Sequence, residues 1–252
     1  MLLIPSPDRR SPMRTLVLRP KGPGPFPLVL INHGSTESAA GRAAMTAPQY
    51  TALSQWFLSR GYVVALPLRP GHGKTGGPYL EDQNGCASAD FQHAGLAAAD
   101  SIETALRYMT AQPYVRRDKA IIVGQSAGGW GALALTARNP ASVSAVISFA
   151  GGRGGHSSDK RNVNCAPGKL VESAGAFGRT ARIPTLWLYA ENDTYFGPAL
   201  SRRMVDAYRA AGGIAEYRLL PPYGNEGHRL IDMREGVSVW GPLLADFLAK
   251  RK

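Results

Sequence analysis

The chain has 252 residues, 44% hydrophobic and 19% charged, with two cysteines and a formal net charge of +11. That length can bury the core of one large α/β domain, and the composition excludes a disordered chain. No apolar run approaches the ~20 residues that span a bilayer, and the positive charge is scattered without a basic run or nucleic-acid motif, so no nucleic-acid partner is expected.

Met1 to Met13 carries Pro5, Pro7, Asp8, Arg9 and Arg10 after a very short apolar start. It lacks the apolar region of about 7–15 residues that defines a signal peptide. The chain as it stands is expected in the cytoplasm, and in the periplasm or outside the cell where a leader has been removed. Pro27 to Asn32 is a continuous apolar run of the kind found in strands buried on both faces. Helical periodicity follows from about Tyr50 to Arg60 and ends at Gly61, a favoured helix terminator. Tyr62 to Pro67 is the next strand, Gly95 to Ala111 an amphipathic helix closed by Pro113, and Lys119 to Val123 a strand. A helix from Gly128 to Arg138 stops at Asn139-Pro140, and Val143 to Ala150 is again a strand. From Gly151 to Ile183 no strand is evident, only a short helical pattern near Lys169 to Phe177. Connections this long are commonly functional, and residues 151–183 are expected to form a cap or pocket wall within a single domain spanning 1–252. Pro184 to Ala190, a helix from about Pro198 to Ala211, a strand from Ala215 to Leu220 and a closing helix from Val237 to Lys250 complete the pattern. This alternation predicts an α/β fold: a mostly parallel central sheet with helices on both faces.

Gly124-Gln125-Ser126-Ala127-Gly128 falls between a predicted strand and a predicted helix. A serine there sits on a sharp turn with its hydroxyl exposed at the end of the sheet, and flanking glycines let the backbone pass without a clashing side chain. A serine hydroxyl needs a base, and the base an orienting acid, in the chain order Ser, Asp or Glu, His. Asp193 follows the Pro184–Ala190 strand, with Glu191 as its nearest competitor. Of the five histidines, His33, His72, His93 and His156 precede that acid, which leaves His228 as the base. Two backbone N–H groups are required for the oxyanion: Ala127 supplies one, and Ser35, with Thr36 as the alternative, supplies the other from the loop Asn32-His33-Gly34-Ser35. His33 is expected to bond loop backbone rather than act as a base. Trp130, Tyr195, Phe196 and Tyr223 are candidates for the pocket lining, with core packing as the alternative for each.

Gly71-His72-Gly73-Lys74-Thr75 resembles the end of a phosphate-binding loop, but the glycine required five places before Gly73 is Leu68. The Gly151–Gly155 run opens no helix in a G-x-G-x-x-G pattern, so dinucleotide binding is excluded as well. Cys86 and Cys165 are too far apart for a compact zinc pair and lie in polar loops. A disulfide between them would point to an oxidising compartment, and two free thiols is the alternative.

His33-Gly34-Ser35, Gly124-Gln125-Ser126-Ala127-Gly128-Gly129, Glu191-Asn192-Asp193 and Gly227-His228 together resemble the α/β-hydrolases, and within them the serine branch of the dienelactone hydrolase-like group. The resemblance implies an α/β-hydrolase fold, a Ser126–Asp193–His228 triad and cofactor-free, metal-free hydrolysis of small or polymeric carboxylic esters. The namesake enzymes carry a cysteine nucleophile and an oxyanion-loop glutamate. Here Ser126 and the His33-Gly34 loop stand instead, which points away from dienelactone itself. The doubled glycine after the serine also resembles prolyl oligopeptidase-type peptidases, so peptidase or amidase activity is a second expectation. Acyl transfer is a third, and a non-catalytic binding protein the last.

Overall fold

The computed structural model describes residues 1–231 and 234–251. Eight strands among them form one sheet: β1 (Leu2–Ile4), β2 (Met13–Leu18), β3 (Leu28–Asn32), β4 (Val63–Leu68), β5 (Ala120–Gln125), β6 (Val143–Phe149), β7 (Thr185–Ala190) and β8 (Ala215–Leu220). Their spatial order is β1-β2-β4-β3-β5-β6-β7-β8. β1 pairs antiparallel with β2 and β2 with β4, whereas every pair from β4 to β8 is parallel.

Side chains alternate across a strand, so each buried strand supplies two cores. Leu28 and Leu30 of β3, Ile122 of β5 and Trp187 and Tyr189 of β7 face one side. There they meet α3 (Phe91–Thr110), α4 (Ala127–Thr136), α5 (Pro167–Gly178) and α6 (Pro198–Ala210). Val29, Ile31, Ile121, Val123, Leu186 and Leu188 face the other side, covered by α2 (Thr51–Leu58) and α7 (Val237–Ala249). The uninterrupted apolar strands follow from this double coverage. No helix among the described residues is long and apolar enough to cross a membrane.

The register gathers the strand ends. Asn32 of β3 lies opposite Gly124 of β5, Gln125 opposite Phe149 of β6, Phe149 opposite Leu188 of β7, and Ala190 opposite Leu220 of β8. The loops that follow these residues therefore emerge side by side, where open parallel sheets build their sites.

Among the strands and α-helices, β1, β2 and the short helix α1 (Ala39–Ala44) have no counterpart in the predicted pattern. α3 begins at Phe91, four residues before the expected Gly95, because the Asp90 carboxylate accepts from the His93 amide at 2.8 Å and caps the first turn. Residues 151–183 divide into two parts. Gly152–His156 and Asp159 border a cavity, whereas α5 is core structure, its Phe177 ring lying 5.1 Å from that of Trp130.

Candidate active site

Ser126 sits between β5 and α4 with φ 53° and ψ −122°, a strained conformation for a residue with a Cβ. Its amide donates to Phe149 O (2.9 Å), and its carbonyl accepts from Trp130 N (2.8 Å) and Gly152 N (3.2 Å), which fixes the turn from both sides. Added Cβ atoms at Gly124 and Gly128 would overlap main chain, of Gly128 in the first case and of Asn32 and His33 in the second. Both glycines are therefore required by close backbone approach.

Asp193 follows β7 and is buried. One carboxylate oxygen accepts from the amides of Tyr195 (2.8 Å) and Phe196 (2.9 Å), and the other lies 3.1 Å from His228 Nδ1. Glu191, the sequence competitor, is exposed, and its side chain makes no hydrogen bond among the described residues. The His228 ring is held further by a stacked Tyr195 ring, centroids 4.2 Å apart and 22° from parallel. The His228 carbonyl accepts from Gln125 Nε2 at 3.3 Å. Ser126 and His228 border the same cavity, of about 710 Å³, although no hydrogen bond joins them among the described residues.

The loop after β3 runs beside the serine: a Cβ on Gly34 would lie 3.2 Å from Ser126 Cβ. The Gly34 amide is taken by the Tyr50 hydroxyl at 3.3 Å. The next amide, that of Ser35, and the amide of Ala127 donate to no group among the described residues, and both residues border the cavity. His33 bonds loop backbone, as expected: Nδ1 lies 2.6 Å from Gly34 O, and Nε2 accepts from Arg69 N at 3.0 Å.

Of the four pocket candidates, Tyr195 and Phe196 border the cavity and Trp130 and Tyr223 do not. Trp130 is fully buried, with its indole N–H donating to Phe91 O at 2.8 Å, so it serves the core of α3 and α4. Tyr223 packs against the core beneath α2 and α7, and its backbone is tied to Asn192. The sequence order placed both near the site, but their side chains satisfy other surfaces.

The family model for dienelactone hydrolases matches residues 13–226. The chain belongs to the dienelactone hydrolase family. Comparison with curated proteins gives no match. Among solved structures, this dienelactone hydrolase family member is similar to a Klebsiella pneumoniae protein described as a dienelactone hydrolase, with TM-score 0.65 and 19% identity over 96% of this chain and 95% of that one. It is also similar to the Pyrococcus furiosus esterase Pf2001, with TM-score 0.69 and 13% identity over 99% and 91%. A Pyrococcus horikoshii acylaminoacyl peptidase gives TM-score 0.68 and 15% identity over 99% of this chain but 41% of the peptidase. At such identities these likenesses establish the α/β-hydrolase fold.

One feature of this family member was not read from its sequence, and a second is a cysteine pairing that the sequence left open. Glu81 is fully buried between two arginines: Arg69 donates to it through Nε (2.5 Å) and Nη2 (3.2 Å), and Arg153 through Nη2. The two guanidinium groups hold the Glu81 carboxyl far below the usual carboxylate range despite the opposing effect of burial. Arg69 also donates to His33 O at 2.8 Å, and Arg153 borders the cavity, so the cluster joins the loop after β3 to the wall after β6. A lone Glu and two scattered Arg carry no spacing signal that predicts this. The second feature is a disulfide between Cys86 and Cys165, with Cα atoms 5.1 Å apart. It ties the 81–90 loop to the wall, where Cys165 N donates to Gly154 O at 2.8 Å.

Proposed function

We propose that this protein is a serine carboxylic-ester hydrolase acting through an acyl-enzyme on small or polymeric esters. The observation that supports this most is a strained Ser126 opening on the same cavity as a His228 whose Nδ1 meets a buried carboxylate. His228 Nε2 takes the Ser126 proton as the hydroxyl oxygen attacks the ester carbonyl. Asp193, locked by two amides, keeps the Nδ1–H tautomer and stabilises the imidazolium that forms. The amides of Ala127, at the start of α4, and Ser35 receive the developing oxyanion. The leaving alcohol departs with the proton from His228. Water activated by the same imidazole then releases the acid and restores Ser126. Tyr195 and Phe196 serve as the apolar wall beside the acyl group.

The test is hydrolysis of a panel of p-nitrophenyl esters of increasing acyl length, a polyester film and an aminoacyl amide by wild type and Ser126→Ala, with an acceptor alcohol present in one arm. Esters should be turned over faster than the amide, with free acid as the product. Ser126→Ala should lose several orders of magnitude in kcat while keeping its fold. Preferential amide cleavage would assign a peptidase, and preferential ester formation with the alcohol an acyltransferase.

A further inference from the structure

We propose that His72 is a positioning residue for the oxyanion site: it holds the Ser35 hydroxyl, and with it the Ser35 amide, against the Ser126 cavity. This rests on the esterase function proposed above. His72 belongs to the Gly71-His72-Gly73 segment after β4, which no nucleotide-binding pattern explains. Its ring is buried, with Nε2 2.8 Å from Ser35 Oγ and Nδ1 3.0 Å from Pro70 O. A carbonyl only accepts, so Nδ1 carries the proton, Nε2 is the acceptor, and the Ser35 hydroxyl donates. The ring cannot swing away. It meets His33 edge-on at 4.8 Å and Tyr79 at 5.6 Å, and His33 is itself fixed by Gly34 O and the Arg69 amide. Behind them stands the Arg69–Glu81–Arg153 cluster. This buried frame thus holds the Ser35 side chain at the cavity, and the Ser35 backbone follows the glycine packed beside Ser126.

Ser35–His72 is a second serine–histidine contact, with Ser35 on the cavity and His72 buried behind it, and the chemistry of His72 differs from that of His228. His228 Nδ1 faces a carboxylate that supports an imidazolium. His72 Nδ1 faces carbonyls, and burial together with the Arg69 guanidinium pulls its pKa down to about 4, with Glu81 opposing and Arg153 reinforcing that effect. His72 therefore stays a neutral acceptor at neutral pH and does not take a proton from Ser35. Its place is to fix geometry, and displacement of an oxyanion donor by a fraction of an ångström is costly because the donor must meet the transition-state oxygen.

The experiment compares wild type, Ser35→Ala, His72→Phe, the double variant and His72→Gln, with p-nitrophenyl acetate as substrate and phenylboronic acid as a mimic of the tetrahedral anion. Ser35→Ala and His72→Phe should each lower kcat about 10- to 100-fold and weaken boronate inhibition by a similar factor, with KM changed less than about twofold. The double variant should be no worse than either single one, because both remove one contact. His72→Gln, which keeps an acceptor, should recover most of kcat. Wild-type kcat and boronate inhibition in Ser35→Ala, or losses that add in the double variant, would overturn the inference. Ser35→Ala lies on the half-buried cavity wall and keeps the test decisive if His72→Phe does not fold. The two layers fail separately: an active Ser126→Ala removes the esterase function, whereas an inactive Ser126→Ala beside unaffected Ser35 and His72 variants removes only this inference.

Discussion

Asp193→Asn isolates what the buried acid does. The substitution keeps the side-chain shape, and one asparagine oxygen can still accept from the amides of Tyr195 and Phe196, at 2.8 and 2.9 Å in the native site. The other position changes: an NH₂ now faces His228 Nδ1, where an oxygen stood at 3.1 Å. Two donors cannot share that contact, so Nδ1 must become the acceptor and the ring proton moves to Nε2. Nε2 then cannot take the Ser126 proton. A wrong tautomer of this kind costs about 10⁴-fold in kcat, equivalent to about 5.5 kcal/mol on the barrier. The loop anchoring survives, so unfolding free energy should change by no more than about 1 kcal/mol. Glu191→Gln, on an exposed side chain, should stay within about twofold of wild-type kcat. The assay is steady-state ester hydrolysis paired with urea unfolding. An Asn variant within tenfold of wild type, or a large loss in Glu191→Gln, would refute the tautomer argument.

Three further outcomes concern stability. Gly128→Ala sets a Cβ against the main chain of Asn32 and His33 and should destabilise by about 1–3 kcal/mol with loss of activity, whereas Gly168→Ala, where a Cβ meets nothing, should be tolerated; equal urea midpoints for the two would contradict this. Acidification from pH 7.5 to 5 should lower stability. His33 and His72 are held neutral with pKa values below the ordinary 6.5, that of His72 at about 4, so below pH 6.5 the unfolded chain takes up protons that the folded one refuses. At pH 5 this amounts to about 2 kcal/mol for His72. Glu81, whose carboxyl is depressed, loses its contribution only below about pH 4.5, outside that window. A urea midpoint flat across the range would contradict buried neutral histidines. Reduction of Cys86–Cys165, which spans 79 residues of sequence, should cost about 2–4 kcal/mol, read as a fall in the urea midpoint with dithiothreitol.

The parallel half of the sheet was legible because its strands are buried on both faces and read as unbroken apolar runs, Leu28–Asn32 and Ala120–Val123 above all. β2 was not, because Met13–Leu18 alternates buried and half-buried positions and follows a polar, proline-containing segment. Chain order alone makes His228 the candidate base among five histidines. Order says nothing of side-chain direction, which is why Trp130, adjacent to the serine turn, proved to be core. The Ser35–His72 contact joins residues 37 positions apart across β3 and β4, and no local pattern encodes it.

The most direct test of the proposed chemistry is the covalent intermediate. Wild-type protein is treated with a fluorophosphonate, and separately quenched during turnover of a slowly deacylating ester, and each adduct is mapped by peptide mass spectrometry. A single adduct on Ser126, absent from Ser126→Ala, is the expected result. An adduct on Ser35 or elsewhere, or steady hydrolysis with no adduct at all, would contradict Ser126 as the nucleophile.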